Sequence, residues 1–543
     1  MSQAISRTSV FVLAALSTVL LSLDDFLQQW LTEASNYAEI EWNFVLTVYV
    51  LSLAMWTANI RWINNSILAV FGLFSAVQLS NIAYFGQPLN PADLPNLFAD
   101  AGEVWQTGAA SFSDHWLVLI CVLLPYGLLI WLHNRFKIEC HSGWRWLSLI
   151  LIVAILASKP IRATERSMSF FMAGPTRSSL HNSLNAWSFY LTHLNSSDTV
   201  IQSDNHQPYD FSYNDNKAAH IWLVVADSLP SQRLSAYGYP RDNSPNLRQR
   251  VESGEMLTKR GIAAGVSTIV SLSNMINLSR EPAQQALLSN HHNNIYKHAK
   301  QQGYQTLWLS SQESKLLSFL GARFIDIKTT REDHPLLFAK RGDLGLLDII
   351  DQQDWSQPSF AVINLRTVHS PYAANYDGLM ASPPWDDSAE LERFTRENNS
   401  YDNAVFLLDQ SIDALVEAFK KLPGEGYLIF TGDHGQFLGE DNRWGHNKLE
   451  PQVIDVPIMI LAKHADLNTE LTQSQWLSHY EMMVWIAAKM GININNPNNT
   501  VGQHFVKGSK LLGDNTILSV TETNTGLHYG KQQLISEWLQ QKQ

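Results

Sequence analysis

Five long apolar runs lie in the first 160 residues of this chain, and no run of that length follows them. They cover residues 9–23, 42–60, 66–85, 116–132 and 144–158. A helix needs roughly 20 apolar residues to cross a hydrocarbon core, where each backbone polar group must be bonded within its own segment. The first third of the chain is therefore expected to form about five membrane-spanning helices, with the last run the shortest. A cleaved signal peptide does not suit the first run: Asp24 and Asp25 follow it, with no small-residue cleavage site.

The charges between the runs give a direction. Arg7 precedes the first run, Arg61 separates the second from the third, and Arg135, Lys137 and Arg145 separate the fourth from the fifth. The alternate loops carry Asp24, Asp25, Glu33, Glu39 and Glu41, then Asp93, Asp100, Glu103 and Asp114, with no Lys or Arg. Positive loops stay in the cytoplasm, so the N-terminus is expected inside. An odd number of spans then carries everything from about residue 160 to the other side.

The expected domains are a transmembrane helical domain over 1–160, a membrane-surface connector over 161–217 and a catalytic domain over 218–543. A formal charge of −12 without a basic stripe excludes a nucleic-acid binder. The two cysteines, Cys121 and Cys140, both precede the catalytic domain, so it holds neither a disulfide framework nor a thiolate metal site.

Beyond residue 217 the pattern changes. "IWLVVA" (221–226), "YQTLWLS" (304–310), "SFAVINL" (359–365), the run at 427–431 and "VPIMIL" (456–461) read as buried strands. Between them, "YDNAVFLLDQSIDALVEAFKK" repeats Val405, Leu408, Ile412, Leu415 and Phe419 at helical steps. Alternating strands and helices predict an α/β domain with a central, mostly parallel sheet and helices on both faces. In such sheets, ligands collect beyond the strand C-termini.

Chemistry-bearing residues follow these strands. Asp227 follows the first, His369 in "TVHSPY" follows the third, and Asp433 and His434 open "GDHGQFLGEDNRWGHN", which also holds His446. Each alone has a bland reading, as a turn, a cap or a surface histidine. Together they bring carboxylates and imidazoles to one sheet edge, a set suited to a divalent cation. Thr268, in "AAGVSTIVSLSNMI", sits where small residues give way to a helical pattern. A hydroxyl there is either an N-cap or a nucleophile, since a helix N-terminus suits a phosphate and a metal activates a weak alcohol.

The strings "LVVADSLPSQRLSAYGYPRDNSPNL", "AGVSTIVSLSNM", "GYQTLWLSSQES", "YDNAVFLLDQSI" and "GDHGQFLGEDNRWGH" resemble the phosphoethanolamine transferases of the Gram-negative envelope, in the alkaline phosphatase/sulfatase superfamily. The resemblance implies a bacterial inner-membrane protein with a periplasmic, alkaline-phosphatase-like α/β domain. It implies Thr268 as a nucleophile that becomes phosphorylated, and Asp227, Thr268, Asp433 and His434 as ligands of a catalytic Zn2+, with Mn2+ also suited to the donor set. His369 and His446 match a pair at the phosphate or a second metal. Glu103 and Lys315 fall near residues that hold the donor headgroup. The implied donor is phosphatidylethanolamine and the implied acceptor an envelope glycan or lipopolysaccharide. Two departures stand out: the family has Glu where this chain has Asp227, and members that modify lipid A carry disulfides, which this chain lacks. Phosphoglycerol transferases similar to the lipoteichoic acid synthases, or glucan-modifying enzymes, share the threonine and the fold. A sulfatase-like hydrolase fits less well, because residues 267–271 lack the C/S-x-P-x-R context.

Overall fold

In the computed structural model, the described residues are 3–5, 9–31, 41–85, 88–89, 91, 93–99, 108, 112–138, 141–166, 168–171, 173, 177–193, 203, 205–465, 467, 475–499, 502–523 and 526–542. The chain forms two compact units: Met1–Ser197 with Glu440–Trp444, and Asp198–Gly439 with Gly445–Gln543.

The first unit is helical. Its main helices are α1 (Ser9–Leu21), α2 (Leu23–Leu31), α3 (Trp42–Ala58), α4 (Arg61–Phe85), α5 (Phe112–Arg135), α6 (Ser142–Glu165) and α7 (Ser179–Thr192). Among the described residues, four segments are long and apolar enough to cross a membrane: Ser9–Leu31, Arg61–Ala83, Trp116–Arg135 and Ser142–Glu165. The fifth apolar helix, α3, has 17 residues. The run expected to be shortest, 144–158, is instead the middle of a 24-residue helix, because the flanking Ser, Lys and Arg residues continue its turns. Ala14, Leu51, Leu68, Phe71, Val122 and Leu129 pack inward, while Phe11, Leu16, Leu124 and Ile150 point outward. Apolar outward faces suit lipid and not water. The α7 helix packs in this unit, with Leu180 in its main core and Trp187 stacked on Phe74.

The second unit is built on an eight-stranded sheet. Its strands are β1 (His220–Ala226), β2 (Leu257–Ile262), β3 (Gln305–Ser310), β4 (Ile327–Thr329), β5 (Ser359–Leu365), β6 (Gly426–Gly432), β7 (Asp455–Lys463) and β8 (Trp476–Ser478). They lie in the order β8-β2-β7-β6-β1-β5-β3-β4. All pairs are parallel except the two made by β7, which runs against both β6 and β2. The chain leaves β6, turns back at the same edge, and Gly435 N–H bonds Val453 O just before β7 starts. A direct return of that kind can only be antiparallel.

Alternation along β1 separates two cores. Trp222, Val224 and Ala226 join Tyr401, Leu408, Ile412 and Phe419 of the long helix (Arg393–Lys420) on one face. Ile221, Leu223 and Val225 face the other way, toward Leu272 and Ile276 of the helix Thr268–Ile276 and Met482 and Ile486 of the helix His479–Lys489. In chain order these helices are α8 (Thr268–Ile276), α9 (Arg393–Lys420) and α10 (His479–Lys489). Each large side chain removed from water in this way contributes about 2 kcal/mol. Beyond α10, β9 (Gln503–Lys507) and β10 (Thr516–Thr523) pair antiparallel in a smaller sheet.

A candidate metal and phosphate site

Register brings the loops together. Ala226 of β1 stands opposite Leu365 of β5 and Gly432 of β6, so Asp227, Arg366 and Asp433 leave the sheet side by side. Because β7 is antiparallel to both neighbours, β2 also points its C-terminal end this way. Ile262 pairs with Asp455, and the loop leading to Thr268 starts at the same edge.

The two glycines around Asp433-His434 are required by close backbone approach. A Cβ on Gly432 would lie 2.5 Å from Leu229 O, and one on Gly435 would lie 2.3 Å from Gln452 O. Asp433 N–H bonds Ala226 O at 2.9 Å, and Asp227 N–H bonds Leu365 O at 3.3 Å. Ser228 then pins both carboxylates: its N–H donates to Asp433 Oδ1 at 2.9 Å and its hydroxyl to Asp227 Oδ1 at 2.7 Å. It does so with φ of 51°, a left-handed conformation unfavourable for a residue with a Cβ. The Tyr401 hydroxyl and the Gln436 amide hold its carbonyl at 3.1 and 3.2 Å. The Gln312 amide donates to Asp227 Oδ2 at 3.0 Å.

Asp227, Asp433 and His434 are all buried, and donor atoms of the three lie within 4.8 Å of one another. The Oδ2 atom of Asp433 is buried without a hydrogen-bond partner. His434 Nδ1 lies 2.8 Å from Gly435 O, which places its proton there and leaves the Nε2 lone pair free. These three donors fit a divalent cation: two carboxylates and an imidazole nitrogen are a hard-cation or zinc donor set, and the orphaned Asp433 Oδ2 would otherwise bear an uncompensated burial penalty. Burial, and then the neighbouring Asp227 charge, push Asp433 well above the usual carboxylate range. Burial also pushes Asp227 upward, but His369, His434, the Ser228 hydrogen bond and His446 outweigh it and hold Asp227 below that range.

Thr268 is the first residue of α8. Ser267 before it is extended, and its hydroxyl does not cap the helix. Thr268 Oγ1 lies 3.4 Å from His434 Nε2. The Ser271 hydroxyl donates to Asp433 O at 2.6 Å, which ties α8 to the β6 loop. The buried His479 stands behind both, 3.2 Å from Thr431 Oγ1 and 3.4 Å from Ser271 Oγ. Gly265 permits the tight entry into α8, since a Cβ there would meet Val270 Cγ1 at 2.6 Å.

The structure thus brings Asp227, Thr268, Asp433 and His434 together. The His446 ring centroid is 4.5 Å from that of His434, and its Nδ1 is 3.2 Å from Val266 O. His369, after β5, has its Nδ1 2.6 Å from Ser370 O and acts on the charges of Asp227 and His434. Lys315 lies in the short helix Ser314–Phe319 with its side chain outside the described residues; Glu103 lies wholly outside them. Sequence reasoning did not single out Ser228, Ser271, Gln312 or His479, which hold this arrangement.

Comparison with known proteins agrees with this picture. The chain is 24% identical over 409 residues to phosphoethanolamine transferase EptC of Escherichia coli O18:K1:H7, covering 68% of each. It is 23% identical over 421 residues to phosphoethanolamine transferase CptA of Salmonella typhimurium, covering 72% of this chain and 71% of that one. Its fold is similar to that of the integral membrane protein lipooligosaccharide phosphoethanolamine transferase A from Neisseria meningitidis. The TM-score is 0.63 at 17% identity, over 90% of this chain and 96% of the other. Residues 219–488 match the Sulfatase family. Residues 219–488 are thus similar to the Sulfatase family, and in the sequence they follow an N-terminal set of membrane-length helices.

Proposed function

We propose that the protein is a membrane-anchored phosphotransferase that moves phosphoethanolamine from a phospholipid such as phosphatidylethanolamine to an envelope glycan or lipopolysaccharide. The observation that carries this reading is the meeting of the Thr268 hydroxyl, at a helix N-terminus, with the buried Asp227, Asp433 and His434 group. The relatives' names supply the headgroup. The four residues Asp227, Thr268, Asp433 and His434 would hold the cation, with zinc chosen on family likeness. Such a cation neutralises phosphate charge and lowers the pKa of the threonine hydroxyl.

In the first step, Thr268 Oγ, already without its proton, attacks the phosphorus of the phosphodiester and the bond to the glycerol oxygen breaks. The free N–H groups of the first turn of α8 face the phosphoryl oxygens. Diacylglycerol leaves with a proton, for which His369 and His446 are the assigned donors, and stays in the bilayer. In the second step, an acceptor hydroxyl attacks the phosphothreonine, its proton passes to the same imidazoles, and Thr268 is regenerated. Glu103 and Lys315 are assigned to the donor headgroup. We place the protein in the bacterial inner membrane, with its N-terminus in the cytoplasm and this domain in the periplasm.

The test is mass spectrometry of envelope lipids and glycans from cells with and without the gene. A phosphoethanolamine adduct that depends on the protein is the expected result. A phosphoglycerol adduct, or free headgroup released without transfer, would overturn the reading.

A further inference from the structure

Arg366 follows β5 in the row that also holds Asp227 and Asp433. It is 9% exposed. Its Nε is buried with no hydrogen-bond partner. Its ion-pair contact is to Glu313 Oε1, at 3.6 Å, which is too long for a hydrogen bond. Glu313 directly follows Gln312, whose amide is bonded to Asp227. The guanidinium therefore lies between the β3 and β5 loops, on the sheet edge that carries the cation ligands.

A structural role for this pair is already filled by another residue. The Asp343 carboxylate accepts from the Ser311 hydroxyl at 2.5 Å, from Arg366 N–H at 3.0 Å and from Thr367 N–H at 3.0 Å. Asp343 thus ties the same two loops, through the Ser311 hydroxyl on one side and the Arg366 and Thr367 backbone on the other, and leaves the guanidinium with nothing to brace. A nearly buried cation that lacks hydrogen bonds is costly unless an anion completes it. A planar guanidinium with a free Nε and a loosely held Nη1 matches two oxygens of a phosphate.

We propose that Arg366 is a phosphate seat beside the reaction centre, with Glu313 as the resting counter-ion that the phosphate displaces. The seat takes a phosphate oxygen of the donor phosphodiester or of a phosphorylated glycan acceptor. This deepens the transferase reading and rests on it for the identity of the two substrates.

The experiment uses the full chain in detergent, with inorganic phosphate as the probe in titration calorimetry. Arg366→Met is expected to weaken phosphate binding about tenfold or more, the loss of a charge-assisted hydrogen bond, and Arg366→Lys to recover part of it. Glu313→Gln is expected to tighten binding, because the competing anion is gone; a merely structural pair would not produce that gain. Transfer kinetics then separate the sources. A raised KM for the phospholipid with kcat retained places the donor phosphate on Arg366, and a raised KM for the glycan places the acceptor phosphate there. Wild-type phosphate affinity in Arg366→Met, or a Glu313→Gln variant that binds phosphate no better than wild type, overturns the proposal. If the wild type transfers no phosphoethanolamine yet the phosphate results hold, the seat stands and the headgroup assignment falls.

Discussion

Thr268 has one neighbour that could take its place. Ser267 also carries a buried hydroxyl, and that hydroxyl has no partner. Ser267 is extended and lies outside the helical turn that Thr268 opens, so the two hydroxyls leave the backbone in different directions. Thr268 lies on the His434 side, which selects it. Thr268→Ala should abolish transfer without loss of expression, Thr268→Ser should keep part of it, and Ser267→Ala should be milder. A trapped intermediate digested to peptides should carry its phosphate adduct on Thr268; an adduct on Ser267 would reverse the assignment. Metal content gives a second prediction. Elemental analysis should find about one divalent ion per chain, mostly lost in Asp433→Ala; full occupancy in that variant would remove Asp433 from the ligand set. The candidate ligands Asp227, Asp433 and His434 stand out in the sequence because they follow apolar runs that end abruptly in polar residues, whereas Thr268 follows small residues. Their supports were not. That Ser228 bridges two carboxylates depends on a left-handed φ and on strand register, and that Gln312 reaches Asp227 depends on β3 lying two strands away. Neither leaves a local pattern.

At the scale of elements, the uninterrupted strands β1, β5 and β6 were readable as runs of buried residues. The β2 strand, "LTKRGI", was not, because Lys259 and Arg260 break its apolar pattern. Tertiary contacts accommodate them: the Arg260 guanidinium lies over the Trp476 ring at 4.4 Å and pairs with Asp455. The reversed direction of β7 was hidden for a similar reason, since it is set by how the loop closes and not by composition. The role of β9 was equally invisible. Its last residue, Lys507, brackets α8 from both ends. Its backbone bonds Ala264 O and Val266 N, before Thr268, and its buried ammonium donates to Asn274 Oδ1 at 2.6 Å and to Ser279 O at 2.5 Å. Burial lowers its pKa to about 7. The folded state therefore binds fewer protons than the unfolded chain between about pH 7 and 10.5, and stability rises with pH across that window. Thermal unfolding at pH 7 and pH 9.5 should show this gain in the wild type and a smaller one in Lys507→Met. That variant should also be less stable at pH 9.5, by roughly 1–3 kcal/mol, because two buried acceptors lose their donor. Equal pH dependence in both proteins would show that the amine keeps its proton in the folded state across this window.

At the scale of the whole molecule, the contacts within the helical unit group the loops as the loop charges do. The residues that the charge pattern assigns to the cytoplasm meet at one end of the helices. Gln3–Ile5 pairs in parallel with Phe136–Ile138, Asn59 Nδ2 donates to Ile138 O at 2.8 Å, and Arg145 Nε donates to Ala58 O at 3.3 Å. The acidic residues assigned to the other side meet at the opposite end. Ser179 N–H donates to Asp25 Oδ1 at 2.7 Å, and the His181 ring bonds Glu41 at 2.8 Å. Two sets of contacts, formed by loops far apart in sequence, thus group the loops as the charge pattern does, and the acidic set also takes in Lys159, which donates to Asn185 Oδ1 at 2.6 Å. The short α3 helix is the weak point of the scheme, because 17 residues rise only about 26 Å, a little under the roughly 30 Å hydrocarbon core. If α3 did not cross, the number of spans would become even and the catalytic domain would return to the cytoplasm, away from any periplasmic glycan. Reporter fusions decide this. A periplasm-dependent reporter joined after residue 165 should be active, and one joined near residue 138 should be silent. A fusion between α2 and α3 should be active, and one at Asn59 silent. Activity at Asn59 would show that α3 does not cross, and it would remove the sidedness on which the choice of acceptor depends.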